Sequence, residues 1–473
     1  MRGRSPFRGL VVLGSMAVLG VVVIGVAGAS WDLFAFLLAS AIFLACLCVT
    51  RALPGVAVAG GKKAFLPATL VIWVFLMVSE IVFTHFQTAG SAASGHFDPS
   101  AYYQAASWIL SFCTLVLVSC LRPAYLRRLF TGPLKWASIF AVVAVLSCPL
   151  STIPMYSAAL AFKLCVIVLA LCGIGEAIED EAGVFKLFSA LFIGTLIVVV
   201  MEFAIPFLGP GPAFHGDRLG AMIGLSGTCG MLLLLSVLLL WLKKNPWFLV
   251  CGVFSVVIMM LAGTKGGIVA SFVSLMMFFL LLKKPAQALA VSLAFSIIFV
   301  LCVAFPPLGQ SLQKYSESGN ATTLTGRTNL WTAVWPEIMK RPLIGHGYRA
   351  SRFVSEEVEG AFAEAGNMHN SFLEVLYNNG LAGLAPILVM SVITVVNLWG
   401  VLLRPPTLQM RYYAAAAFAL YTHLFVWGLI SVTFGGAPDN RFMAFFAVLL
   451  ISVLLKDQSN KKYRKPVYAE YNV

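Results

Sequence analysis

The sequence predicts an all-α integral membrane protein: a polytopic helical bundle of about 14 transmembrane helices (12–14) interrupted by one long outer loop. Three observations predict it. Of the 473 residues, 60% are apolar and 11% charged, and the mean hydropathy is +0.92; a water-soluble domain is roughly 45–50% apolar and about 25% charged. Apolar runs recur along nearly the whole chain, each close to the roughly 17–25 residues a helix needs to cross a hydrocarbon core. A single stretch, between Ala304 and Gly380, breaks that rhythm. These features exclude a water-soluble enzyme and a long disordered architecture.

Taken in order, the runs place spans near 9–29, 31–50, 66–84, 105–121, 134–150, 158–175, 186–205, 221–242, 246–263, 266–282, 287–305, 380–403, 411–431 and 441–455. The first follows Arg2, Arg4 and Arg8 like a signal peptide, but it is too long for such an apolar core and lacks a clear cleavage site. It reads as a retained helix. Short loops rich in Lys and Arg stay in the cytoplasm. With the amino terminus inside, the cytoplasmic segments collect Arg51, Lys62, Lys63, Arg122, Arg127, Arg128, Lys243, Lys244, Lys283, Lys284, Arg404, Arg411 and the tail residues Lys461, Lys462, Arg464 and Lys465, whereas the short outer loops hold only Arg218, Lys265 and Arg441. Both termini are therefore expected inside. The same asymmetry explains most of the net charge of +13 as a basic rim beside anionic lipid, with no need for nucleic acid. The chain divides into residues 1–303 with spans one to eleven, a large outer loop at 304–379, spans twelve to fourteen at 380–456, and a basic cytoplasmic tail at 457–473.

All ten cysteines fall within expected spans without a Cys-x-x-Cys pair, so neither a disulfide framework nor a metal cluster is implied. The outer loop of about seventy residues is far beyond the usual connector, and such loops are usually functional or disordered. Its composition argues for order. Leu330, Trp331, Val334, Trp335 and Ile338 recur at helical spacing, giving an amphipathic helix able to lie on the membrane surface, with Pro336 placed to kink or shift it. A second helix is expected to begin near Asn370, which would cap it, and to run through Phe372, Leu373, Val375 and Leu376 into the twelfth span. His369 would then sit at that helix's mouth.

Ionisable groups at a membrane boundary need a partner or a task. Arg218, Lys265 and Arg441, with Arg327, His369, Asp439 and Asn440, are expected to form one outward-facing group. Each has an ordinary structural reading too. Arg327 could pair with Glu356 or Glu357, Arg218 with Asp217, Lys265 could snorkel from a helix end, and His369 could only hydrogen-bond a loop. Gly345 and Gly347 suit a tight turn rather than substrate contact. Lys163 and Glu202 read as a buried ion pair between neighbouring helices, and His423 as an interhelical hydrogen-bonding group.

Three blocks occur in order on the long loop: Thr325-Gly-Arg-Thr-Asn-Leu-Trp331, Arg341-Pro-Leu-Ile-Gly-His-Gly-Tyr348 and Met368-His-Asn-Ser-Phe-Leu-Glu-Val-Leu-Tyr-Asn-Asn-Gly-Leu-Ala-Gly383. Together they resemble the long periplasmic loop of the O-antigen ligase and Wzy-type polymerase superfamily, most of all its exopolysaccharide-polymerase branch. His215-Gly-Asp-Arg-Leu-Gly220 resembles that family's shorter arginine loop, and Leu261-Ala-Gly-Thr-Lys-Gly-Gly267 its Ser-Arg-Gly turn, with Lys265 where ligases usually carry Arg. The resemblance implies a GT-C-like membrane glycosyltransferase of the bacterial inner membrane that moves a glycan from undecaprenyl diphosphate to an acceptor hydroxyl at the periplasmic face. It also implies a glycan or lipid A-core acceptor, with a flippase and a chain-length regulator as partners.

Chemistry read from the residues fits that expectation. A departing diphosphate gains negative charge as the glycosidic bond breaks, so cations fixed at it stabilise the transition state. Arg218, Lys265 and Arg327 are the expected diphosphate ligands. His369, with a pKa near neutrality, is the expected base for the acceptor hydroxyl, and Arg441, Asn370 and His346 are further candidates for substrate contact. No Asp-x-Asp motif lies in an outer segment, so neither a metal nor another cofactor is expected. Polymerisation of repeat units is the first reading, ligation to lipid A-core or protein the second, and flipping of the lipid-linked glycan the weakest, since the unusual charges gather on one face.

Overall fold

The computed structural model describes residues 66–67, 69–78, 106–116, 127, 129–130, 132–208, 214–215, 218–219, 223–262, 264–304, 327–351 and 368–464. In chain order they form α1 (Thr69–Val78), α2 (Ala106–Val116), α3 (Leu134–Ser147) with a 3-10 turn at Cys148–Leu150, α4 (Pro154–Ala177) and α5 (Glu181–Leu208). A two-residue antiparallel pair follows, β1 (Phe214–His215) with β2 (Arg218–Leu219). Then come α6 (Ile223–Lys243), α7 (Pro246–Leu261), α8 (Lys265–Leu281), α9 (Pro285–Ala304), α10 (Arg327–Lys340), α11 (Ser371–Leu403), α12 (Leu408–Ile430) and α13 (Asn440–Arg464).

Helix starts follow local chemistry. Pro occupies the first turn of α4, α7 and α9, where its missing N–H is no loss. Asn245 Oδ1 accepts from Trp247 N at 3.0 Å to cap α7, and Thr407 Oγ1 accepts from Met410 N at 3.1 Å to cap α12. Helix positions agree with the apolar runs wherever both are described. Among the described residues, six helices are long and apolar enough to cross a membrane, namely α4, α5, α6, α11, α12 and α13. α1, α2, α3, α7, α8 and α9 are or contain shorter apolar helices, and the expected spans at 9–29 and 31–50 lie outside the described residues, so the expected count near fourteen is not reached among them. This is a multi-pass helical membrane protein.

Helix α13 forms the axis of the bundle. It is buried almost along its length, with α11, α12, α5 and α4 packed around it. α6 packs against α5, α7, α8 and α12, and α3 packs against α11. Basic side chains gather at one end. Lys462 pairs with Glu181 at the start of α5, Arg411 Nη2 donates to Leu281 O at 3.0 Å, and Tyr463 Oη donates to Arg404 O at 3.0 Å. α6, α8, α11 and α13 all begin at the opposite end, where the candidate site lies.

Candidate active site

Helix α10 forms because Leu330, Val334 and Ile338 bury one stripe against Ala350, Met368 and Tyr377. The expected amphipathic stripe therefore faces protein, not lipid, over most of its width. Trp331 on the same side donates from Nε1 to Met368 O at 2.9 Å. Arg327, the first residue of α10, lies two turns from Val334 on this inward face. Its charge reaches His369, the residue after Met368.

His369 adopts φ 48°, a left-handed conformation that disfavours side chains. Its neighbours hold it there. Met368 N donates to Glu374 Oε2 at 2.9 Å. On the other side, Asn370 Oδ1 caps α11, accepting from Phe372 N at 2.9 Å and Leu373 N at 3.1 Å, while Asn370 Nδ2 donates to Leu429 O at 3.2 Å. Burial pushes the His369 imidazole down to about 4, and the Arg327 guanidinium pushes in the same direction. That corrects the expectation of a pKa near neutrality: at pH 7 the ring is neutral and a weak base.

Glu374 and Arg349 escaped the sequence reading. The Glu374 carboxylate is fully buried, accepts from Arg349 Nη1 at 3.1 Å and from Ser351 Oγ, and so ties the 349–351 turn to the peptide in front of His369. The available signal was a lone acid one helical turn after a capping Asn, in an otherwise apolar run.

The second and third sequence blocks meet as backbone. α11 breaks at Gly380, φ 59° and ψ −159°. The hydrogen bonds lost at the break are supplied by the turn after α10. His346 N and Gly347 N donate to Tyr377 O and Asn378 O, each at 2.9 Å, while Leu381 N and Ala382 N donate to Pro342 O at 2.8 Å and Leu343 O at 3.0 Å. Glycine is required here because a Cβ at Gly345 would lie 2.5 Å from the Asn378 carbonyl carbon, with φ 71°. His346 stacks on Tyr377 with centroids 4.5 Å apart, and its Nε2 lies 2.9 Å from Glu337 O. The ring fastens α10 to α11. Ser147 Oγ at the end of α3 accepts from Tyr348 N at 3.1 Å and Asn379 Nδ2 at 2.7 Å, anchoring the junction to the bundle.

The remaining candidates come from adjacent helix starts. Arg441 donates from Nε to Asp439 Oδ2 at 2.8 Å, and its guanidinium packs on Gly224 at the start of α6. Ser226 on α6 donates to Thr264 O at 3.3 Å, beside Lys265 at the start of α8, and Gly266 packs on Ile430, next to the Leu429 carbonyl that Asn370 contacts. The starts of α6, α8, α11 and α13 thus share one end. At Arg218, paired through its backbone with His215, and at Lys265, the side chains lie outside the described residues, as do Glu356 and Glu357. The expected Lys163–Glu202 pair does not form: the charges acting on Glu202 are those of Arg441 and Asp439, while Lys163 lies over the Trp108 ring at 5.2 Å. His423 does act between helices, its Nε2 2.8 Å from Gly227 O. Among the described residues no group of three His, Cys, Asp or Glu is placed to hold a metal ion.

A comparison with curated proteins finds no match. The family model described as O-antigen ligase matches residues 250–388, from α7 through α10 into α11, which takes in the Arg327 helix, the His346 turn, His369 and the Gly380 break. Over this segment the chain is similar to the O-antigen ligase family, and the match supports the expected likeness to the O-antigen ligase and Wzy-type superfamily of membrane glycosyl-transferring enzymes.

Proposed function

We propose that the protein is a metal-independent glycosyltransferase of the bacterial inner membrane that polymerises undecaprenyl-diphosphate-linked repeat units into exopolysaccharide, capsule or O-antigen chains at the periplasmic face. What supports this reading is that the charge of Arg327, at the first position of α10, acts on His369 at the mouth of α11. A cation for the leaving diphosphate and an acceptor of the incoming hydroxyl's proton are what the transfer needs side by side.

Helix starts add to that field. α6, α8, α10 and α13 carry no acid in their first turns, although acids are favoured there by the helix dipole. Lys265 and Arg327 stand at two of these starts, positions that favour a bound anion, while at α13 Arg441 pairs with Asp439, whose carboxylate accepts from Phe442 N at 2.9 Å. In the proposed reaction the acceptor hydroxyl oxygen attacks the anomeric carbon, its proton passes to His369, and the bond from that carbon to the phosphate oxygen breaks with its electron pair left on the diphosphate. Arg218, Lys265 and Arg327 hold that charge. Binding of the anionic donor neutralises Arg327 and so raises the basicity of His369 when the base is needed. Arg441, held by Asp439, and Asn370 flank the acceptor; His346 acts through Tyr377 and the α10 turn.

The Thr325-Gly-Arg-Thr328 block and Lys265 favour polymerisation over ligation to lipid A-core, which uses the same donor chemistry. Grouping of the charges at one end of the bundle disfavours a flippase, whose charges would line a path open in turn to both sides. A purified-protein assay with a defined diphosphate-lipid-linked repeat unit, with and without a lipid A-core acceptor and with chelator, tests the reading. A ladder of lengths that survives chelation is expected. A single product formed only with lipid A-core would assign a ligase, no transfer with either acceptor would overturn both, and loss on chelation would overturn metal independence.

A further inference from the structure

Helix α10 has three faces rather than two. Leu330, Val334 and Ile338 are buried against α11, and Asn329, Glu337 and Lys340 form a polar side. Between these lie Trp335 and Met339, apolar, one turn apart, and 47% and 49% exposed. The chain then continues the apolar surface through Leu343 and Ile344, 65% and 53% exposed. The backbone bonds from Leu381 to Pro342 and from Ala382 to Leu343 place Leu381, itself 49% exposed, beside them. Below Leu381 the same helix exposes Leu388, Val392, Val396, Trp399 and Leu403, spaced by seven, four, four, three and four residues. That is one stripe along a membrane-spanning helix.

We infer that the corner where α10 meets α11 is immersed in the outer leaflet, with Trp335, Met339, Leu343, Ile344 and Leu381 in contact with lipid. Two observations select lipid as the occupant. The patch is continuous with the exposed apolar stripe of α11, a helix long and apolar enough to span a bilayer. Its border carries exposed Arg341, a cation matched to lipid phosphates, and Lys340, 64% exposed at its side chain and paired with Glu337 at 2.7 Å, beside a Trp of the kind that settles at the interface. Immersion fixes the height of the whole helix. Arg327 lies eight residues before Trp335, a rise of about 12 Å, so the bilayer itself sets the level of the cation relative to the headgroups.

The test uses the full-length protein in phosphatidylethanolamine–phosphatidylglycerol liposomes, in a cysteine-free background carrying one nitroxide label at a time. The labelled variants are Met339→Cys and Leu343→Cys, with Leu388→Cys as the lipid reference and Lys340→Cys as the aqueous one. Labels at 339 and 343 are expected to show a ratio of oxygen to nickel-chelate collisions several-fold above that at 340, approaching that at 388. If 339 and 343 match 340 while 388 reads as lipid-exposed, the patch is wet and the inference is overturned; a docking surface for another protein would give that same wet reading in the protein alone.

Discussion

The Trp331 indole donates to the carbonyl of Met368, the residue immediately before His369. One side chain of α10 thereby sets the entry into the left-handed turn that presents the imidazole, and the same helix carries Arg327 at its first position. Replacing Trp331 by Phe keeps most of the apolar packing and deletes the donor. Stability should fall by about 1 kcal/mol, whereas kcat should fall by roughly tenfold or more with a smaller change in KM, because a base displaced by a fraction of an ångström loses more in the transition state than in binding. Steady-state kinetics beside thermal unfolding in detergent separates the two effects.

Arg327→Ala and His369→Ala are each expected to abolish chain growth while leaving membrane insertion intact. Full activity in vivo of either variant would remove that residue from the mechanism. Arg327→Gln should in addition raise the pKa of His369 from about 4 towards the ordinary value near 6.5. Diethyl pyrocarbonate modification of His369, followed by mass spectrometry across pH, reads that shift directly: the acid limb of its reactivity moves to higher pH in the variant.

The pH dependence of turnover should distinguish the free and donor-bound enzyme. In the free protein His369 loses its proton near pH 4, so its contribution to kcat/KM falls only as pH drops through that value. Donor phosphates beside Arg327 shift the same limb upward in the complex, so kcat should begin to fall at a higher pH than kcat/KM. Coincident limbs would show that the donor's charge does not reach the imidazole.

Glu374→Ala leaves the buried Arg349 guanidinium without its carboxylate and frees the Met368 peptide. A loss of about 3–5 kcal/mol is expected from breaking a buried pair on one side, read as a large drop in melting temperature. Glu374→Gln keeps an acceptor for Met368 N and should cost less. If Ala and Gln behave alike, the Met368 hydrogen bond is not what the carboxylate contributes.

Gly380→Ala should be among the most damaging single changes in the loop. The residue sits at φ 59°, and a Cβ there would collide with the Leu343 backbone. Neither side of that contact is a flexible side-chain end, so relief requires separating α10's turn from α11. The expected outcome is low folded yield, measured by size-exclusion profile, with Ala at the helical Gly400, which meets only the tip of Lys456, as the tolerated comparison.

Much of the helical framework was legible because hydropathy over a membrane-length window is a strong, local signal. Helix α10 and the capping role of Asn370 were legible for the same reason: a period of 3.6 and a cap both act within a few residues. What failed depends on distant partners. Lys163 and Glu202 were paired because both are ionisable and apolar-flanked, yet only tertiary packing puts Trp108 next to one and Arg441 next to the other. The apolar stripe of α10 was read as a lipid face although a periodic pattern cannot tell a lipid partner from a protein one. Glu374 was invisible as a clamp because its partners, Arg349, Ser351 and Met368, come from another turn of the chain. For the imidazole, residue type alone suggests a pKa near neutral pH, whereas burial and a neighbouring cation push it down to about 4.

The turn at residues 342–347 replaces the ladder bonds that α11 forgoes at Gly380, and this splice has a mechanical meaning. Four amide links cross between the two segments, so the cation-bearing helix and the imidazole-bearing helix travel as a single rigid piece. On the proposed reading, substrate would meet a mould already set rather than a jaw that closes.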